Sequence, residues 1–222
     1  MLSLQKQWDK AYNCYKGKRI SVWDNKADQF FVSKIKYFKS KKIKEVLDAG
    51  CGDGRNLLPF IKAGFNVTGV DVSNAGLDKC KKLYGKLSNL RLEKKLLEKL
   101  NYKSNSFDLI ICDHVLVHTK NVKKILNNFY KILKIKGYAL LEFTSTNDPL
   151  FGRGKKINKY EYSCDGVYCR FFDVPLIKEL LKKFEILSIY FRVFTQPNHG
   201  SGYFRKKRHT HCSYFVLAQK IK

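Results

Sequence analysis

The stretch that most restricts the fold is Val46-Leu47-Asp48-Ala49-Gly50-Cys51-Gly52-Asp53-Gly54-Arg55-Asn56. A short apolar run ends at an acid, three glycines follow at alternate positions, and an amphipathic segment starts at Leu57. This order predicts a buried strand, a tight turn and a helix. Glycine lacks a Cβ and tolerates positive φ, so such a turn lets a ligand approach the backbone closely. The first N–H groups of the following helix have no intrahelical partners and favour an anionic group. A nucleotide-like cofactor is the natural occupant.

The rest of the chain repeats the strand–helix rhythm. Upstream, a short helix over 3–12 and a loop from Gly17 to Asn25 lead to a helix over 27–39. Phe30, Phe31, Ile35 and Phe38 mark one face of that helix. A strand over 44–49 and a helix from Leu57 to Gly64 come next. A strand over 65–72 follows, with Asp71 near its end, and Ser73 and Asn74 can cap a helix over 75–84. Strands are predicted over 89–94, 107–113 and 138–144. A helix over 122–134 carries Val122, Ile125, Leu126, Phe129, Ile132 and Leu133 at helical spacing. Residues 145–172 form a long basic and aromatic insertion. A helix over 174–183 precedes strands over 185–194 and about 211–219, with a basic loop over 195–210 between them. The fold class is α/β: a doubly wound, mainly parallel seven-stranded sheet with helices on both faces. Without repeats or a linker, 1–222 reads as one domain. Its parts are an arm over 1–27, a cofactor-binding core over 44–145, and an insertion with C-terminal strands over 146–222. Trp8 and Trp23 in the arm suit either packing on the core or a lid over the cofactor.

Charge enters because it bears on partners. Basic side chains number 44 against 19 acidic ones, a formal net charge of +25. Scattered lysines describe a solvated surface, whereas the cluster Arg205-Lys206-Lys207-Arg208 suits an anionic partner such as nucleic acid. Seven cysteines, an odd number, sit partly within apolar strand patterns and predict buried thiols in a reducing compartment. No run approaches transmembrane length and no signal-peptide pattern opens the chain, so a cytoplasmic location without a membrane partner is expected. Cys164, Cys169, His209, His211 and Cys212 match no strong metal-ligand spacing, and no metal is expected.

A dinucleotide fingerprint starting at Gly50 needs its third glycine at position 55, which is Arg55. The turn is instead D-x-G-x-G-x-G from Asp48 to Gly54, which resembles the first motif of class I S-adenosylmethionine (SAM)-dependent methyltransferases. Gly69-Val70-Asp71-Val72-Ser73 is similar to the end of their second strand, and Asn105 to Cys112 to the entry into their fourth. Leu116-Val117-His118 follows as in members called type 11. Leu133-Lys134-Ile135-Lys136-Gly137 stands where the family has L-x-P-G-G, with Ile135 and Lys136 replacing the Pro and the first Gly. The likeness covers about residues 44–145.

This resemblance implies SAM as cofactor and an antiparallel last strand. Gly50, Gly52 and Gly54 would shape the loop under the methionine half, flanked by Cys51 and Asn56, with Asp48 and Asp53 near the amino-acid end. Asp71 would take the ribose diol, about twenty residues beyond the glycines, as ribose recognition requires. Val72 would pack on adenine. Cys112 and Asp113 would face the methyl group or the methionine end. Leu96 falls where the family carries an acid for the adenine amino group, leaving the Leu97 N–H as a contact. Asp113, His114 and His118, just past the fourth strand, are the candidate bases or acceptor contacts. The first reading is methyl transfer to a small molecule. The alternatives are an RNA (tRNA) methyltransferase using the basic surface, and a SAM-fold binding module without turnover.

Overall fold

In the computed structural model the described residues are 3–15, 21–24, 26–198 and 208–222. Seven strands form one sheet. They are β1 (Glu45–Ala49), β2 (Asn66–Asp71), β3 (Leu90–Lys94), β4 (Phe107–Cys112), β5 (Leu133–Thr144), β9 (Phe184–Gln196) and β10 (His209–Lys220), in the order β3-β2-β1-β4-β5-β10-β9. The first five strands run parallel, and β10 is antiparallel to both its neighbours, as the resemblance implied. Side chains alternate between faces along a strand, and both faces are covered. Leu47, Ile110 and Leu141 pack with α6 (Val122–Ile132) and α7 (Val174–Leu180) on one side. Val46, Leu109, Ile111 and Leu140 pack on the other with α2 (Gln29–Ser33), α3 (Ile35–Ser40), α4 (Leu57–Lys62) and α5 (Asn74–Tyr84).

Three regions depart from the sequence reading. The helix expected over 27–39 breaks at Lys34 into α2 and α3. Ser33 Oγ donates to the Phe30 carbonyl at 2.9 Å and Lys34 N to the Phe31 carbonyl, so the ladder tightens there. The strand expected from Tyr138 starts at Leu133, which pairs with Phe107. Lys136, at φ +62°, sits in an irregularity that restores register at Tyr138–Leu109. The insertion over 145–172 is an ordered antiparallel sheet of β6 (Lys155–Lys156), β7 (Glu161–Cys164) and β8 (Val167–Arg170). Its hairpin turns at Asp165-Gly166, both at positive φ. Asp-Gly suits such a two-residue turn, so the signal was present in the sequence. Tyr162, Cys164, Val167, Cys169 and Phe171 form a small core with Val117.

Among the described residues no helix is long and apolar enough to cross a membrane. No disulfide joins the cysteines, and six of the seven are buried. Of the basic cluster over 205–208, only Arg208 lies within the described residues.

Candidate functional site

The loops leaving the carboxyl ends of β1, β2, β3 and β4 line one cavity. The helix α1 (Leu4–Cys14) and the ends of β5, β9 and β10 complete its wall. Open α/β sheets bind ligands at this edge. Asp48, Gly50, Cys51, Gly52, Asn56, Asp71, Val72, Leu96, Leu97, Asp113, His114 and His118 all line it, although 70 residues of chain separate the first from the last. Asp53, Gly54 and Cys112 stand behind the wall. Asp53 accepts from Val22 N at 2.7 Å and Ser21 Oγ at 2.9 Å, fastening the segment that follows α1. Gly54 backs onto Cys80 and Tyr84, and Cys112 is wholly buried in the core.

Two glycines in the turn leave no room for a side chain. Gly50 has φ +87°, and a Cβ there would lie 2.2 Å from Val115 Cγ2; Gly52 has φ +54°, and a Cβ there would lie 2.1 Å from the Tyr12 hydroxyl. Conformation and space therefore both demand glycine. Gly50 N and Cys51 N donate to the Val70 carbonyl at 2.8 and 3.0 Å. Gly52 N donates to Asp71 Oδ2 at 2.9 Å, and Ser73 N to Asp71 Oδ1 at 2.8 Å. The turn and Asp71 thus hold one another. Burial pushes the Asp71 carboxyl up to about 6, against the hydrogen bonds from Ser73 and Gly52.

Acids crowd this wall. Burial, with Asp113 and Asp71 nearby, pushes Asp48 up to about 8. Asp113 pairs with Arg55 and accepts from Asn56 Nδ2 at 2.9 Å, while its Oδ1 is buried with no partner among the described residues. In the sequence, Arg55 served only to exclude a dinucleotide. Glu98, which no sequence motif marks, also lines the cavity, carried there by the 3₁₀ turn Leu97–Lys99.

The arm reaches the same space. Asp9 accepts from Ser73 Oγ at 2.7 Å and Ala75 N at 3.0 Å, docking α1 on the start of α5. Trp23 Nε1 donates to the Tyr12 hydroxyl at 3.1 Å, and Leu4, Trp8, Tyr12 and Trp23 all line the cavity.

The opposite wall is built from residues far apart in sequence. His114, at φ +56°, donates its N–H to Glu142 Oε2 at 3.2 Å, and its Nδ1 lies 3.6 Å from the same oxygen. Gln196 Nε2 donates to His114 Nε2 at 3.2 Å. Burial, reinforced by His211 and Arg55, holds the His114 imidazolium well below its ordinary range, so the ring is neutral. Burial pushes Glu142 up to about 8, with Thr144 Oγ1 donating to it at 2.9 Å. His118 Nδ1 donates to the Tyr168 carbonyl at 3.0 Å, tying the insertion to the site, and its ring meets Trp8 edge-on. His211 lines the cavity with its Nδ1 3.0 Å from Asp148 Oδ2. The sequence had presented His211 only as a weak metal candidate.

The seven-stranded sheet with β10 antiparallel between β5 and β9 is the fold of solved SAM-dependent methyltransferases. More narrowly, residues 47–141 match the model of a methyltransferase domain family. The chain is 26% identical over 136 residues to a ubiquinone biosynthesis O-methyltransferase of Rickettsia akari, covering 60% of this chain and 53% of that one. It therefore spans about half the length of the curated relatives it matches. A SAM-dependent methyltransferase of Methanosarcina mazei shares the fold at TM-score 0.64 and 18% identity, over 81% of this chain and 93% of that one. A 1,6-didemethyltoxoflavin-N1-methyltransferase of Burkholderia thailandensis, solved with bound 1,6-didemethyltoxoflavin and S-adenosylhomocysteine, does so at TM-score 0.63 and 18% identity, over 88% and 80%.

Proposed function

We propose that this chain binds SAM at the acid-lined end of the cavity and transfers its methyl group to a small molecule held against the opposite wall. The observation that carries this reading is charge. In a chain of net charge +25, the cavity gathers Asp48, Asp71, Glu98 and Asp113 against Arg55 and Lys95. Buried acids with raised proton affinity, and the unpartnered Asp113 Oδ1, suit a ligand that brings an ammonium and a sulfonium.

On this reading Asp71 takes the ribose diol with lone pairs left over from its two backbone bonds. Val72, Leu96 and Leu97 flank the adenine, and Glu98 supplies the acceptor that Leu96 lacks. Gly50, Cys51 and Gly52 form the floor under the methionine half. Asp48 and Asp113, the latter steadied by Arg55 and Asn56, face its cationic end. The arm carrying Trp8 and Trp23 covers the site and excludes water. The cofactor brings a methyl group already activated by the sulfonium, so the protein supplies orientation, desolvation and charge complementarity. The ubiquinone biosynthesis and 1,6-didemethyltoxoflavin names of the relatives describe small organic compounds, which supports a small-molecule acceptor over tRNA.

Titration calorimetry with SAM and with S-adenosylhomocysteine tests the reading. Saturable binding of both is expected, and absence of both overturns it. Incubation with a methyl-labelled donor then separates acceptors: label in a metabolite extract is expected, and label in total RNA would transfer the activity to the tRNA reading.

A further inference from the structure

We propose that His211 and Asp148 form a base dyad that takes the proton from an acceptor hydroxyl, making this chain an O-methyltransferase of weakly acidic hydroxyl compounds such as phenols. The inference rests on the cofactor reading above and adds the chemistry of the acceptor.

The geometry is that of an oriented imidazole. Asp148 has a wholly buried side chain and accepts from His211 Nδ1 at 3.0 Å. Asp148 is itself fixed, because Leu150 N donates to Oδ1 at 2.9 Å and Cys212 N to Oδ2 at 3.0 Å. A carboxylate on Nδ1 sets the tautomer, leaves Nε2 as the basic nitrogen, and stabilises the imidazolium once a proton arrives. Burial alone would raise Asp148, but the His211 bond and the two backbone N–H groups bring it below the usual carboxylate range, so it stays ionised. The ring lines the cavity 5.3 Å, centroid to centroid, from His114, which follows Asp113 at the methionine end.

The other two histidines of the wall are held differently. His114 has its Nε2 engaged by Gln196, and His118 has its Nδ1 on a carbonyl. Several further charged and titratable groups surround the His114–His211 pair. Asp148 lies in the chain after β5, Glu142 within β5 reaches His211 through His114, and Arg55 belongs to the glycine turn. His209 and Cys212 are on the same strand as His211, and Arg192 of β9 stacks on Phe194, whose ring is 5.7 Å from that of His211.

In the transfer, the hydroxyl O–H bond breaks and its proton passes to His211 Nε2. An oxygen electron pair forms the new O–C bond, and the S–C pair returns to sulfur, leaving a neutral thioether. The imidazolium then releases its proton to water. Acceptors that are already nucleophilic, such as thioethers or pyridine nitrogens, need no such base.

The test uses 4-nitrophenol, whose visible band reports its ionisation, added to the full chain saturated with S-adenosylhomocysteine. The pH is one at which the free probe is mostly protonated. The wild type is expected to bind the probe as phenolate, and the band is expected to be lost in His211→Gln and weakened in Asp148→Asn. No binding of the probe, binding without ionisation, or an equal band in His211→Gln overturns the dyad. Calorimetry with S-adenosylhomocysteine on each variant keeps the readings apart. Retained cofactor binding with an unchanged phenolate band defeats the dyad alone, whereas loss of cofactor binding in the wild type defeats the cofactor reading.

Discussion

The two walls of the cavity are built in opposite ways. The proposed cofactor wall is made of short consecutive stretches, 48–56, 71–72 and 96–98, and backbone N–H groups hold its key acid: Gly52 N and Ser73 N both end on Asp71. The proposed acceptor wall is made of single side chains from distant strands and from the loops that leave them. His114 meets Gln196 across 82 positions and Asp148 meets His211 across 63. The first wall is therefore a property of one turn and its neighbours, and the second is a property of the assembled sheet. Mutations should strike the two differently.

The largest effect belongs to Asp71. Asp71→Ala removes the proposed diol acceptor and also orphans two backbone donors. Hydrogen bonds to a charged group contribute about 1.5–3 kcal/mol each, so SAM binding should weaken by roughly a hundredfold or more. Calorimetry measures the loss, and circular dichroism should still show the α/β fold. If Asp71→Ala binds SAM unchanged, the cofactor wall is not where the ribose sits.

Gly52→Ala is next. Its Cβ would overlap the Tyr12 hydroxyl, and its φ of +54° is one that a side chain rarely adopts. A destabilisation of about 1–3 kcal/mol is expected, read as a lowered denaturation midpoint. Tyr12→Phe in the same chain should restore part of it by removing the overlapping oxygen. No restoration would mean that backbone strain alone makes the turn demand glycine.

The same contrast explains what was legible in the sequence. Asp48, the glycines and Asp71 could be read because a strand, a turn and a helix are local events with fixed spacing. The sheet could be read because apolar runs alternate with helical spacing from β1 to β5. Glu142 and the pairing of His211 with Asp148 could not, because their meeting depends on β10 inserting antiparallel beside β5 and on the chain after β5 folding back. Arg55 was visible, but its partner Asp113 lies 58 positions away across the β1–β4 neighbour pair. The hairpin over 161–170 is the reverse case: Asp165-Gly166 is a local turn signal.

The pH dependence of stability separates the walls without any acceptor. Asp48 and Glu142 are each raised to about 8 and Asp71 to about 6, above carboxyls in an unfolded chain at about 4. The folded protein then holds protons that the unfolded chain has released. This contribution is fully present below about pH 4 and is lost as pH rises through about 6 to 8. The melting temperature of the ligand-free protein should therefore fall from pH 5 toward pH 8, as calorimetric scans would record. SAM, by pairing cations with Asp48, should raise the melting temperature more at pH 8 than at pH 5. Glu142→Gln should flatten part of the ligand-free slope and leave the SAM increment intact. A lost increment would mean that the two walls act as one charge system.

The smallest effect tests the gap in the cofactor wall. Leu96 is 36% exposed, so an acid placed there escapes most of the burial cost that raises Asp48. Leu96→Asp offers the adenine amino group an acceptor worth about 1 kcal/mol net, or roughly fivefold tighter SAM binding. Glu98 stands on the same stretch of wall and should already provide such a contact, so Glu98→Ala should weaken binding by a similar factor. If both hold, Leu96→Asp should be worth more in the Glu98→Ala background than alone, because one amino group cannot reward two acceptors equally and the two carboxylates repel. Strict additivity in calorimetry would place Glu98 away from the adenine and make Leu96 a true vacancy in an otherwise complete cofactor wall.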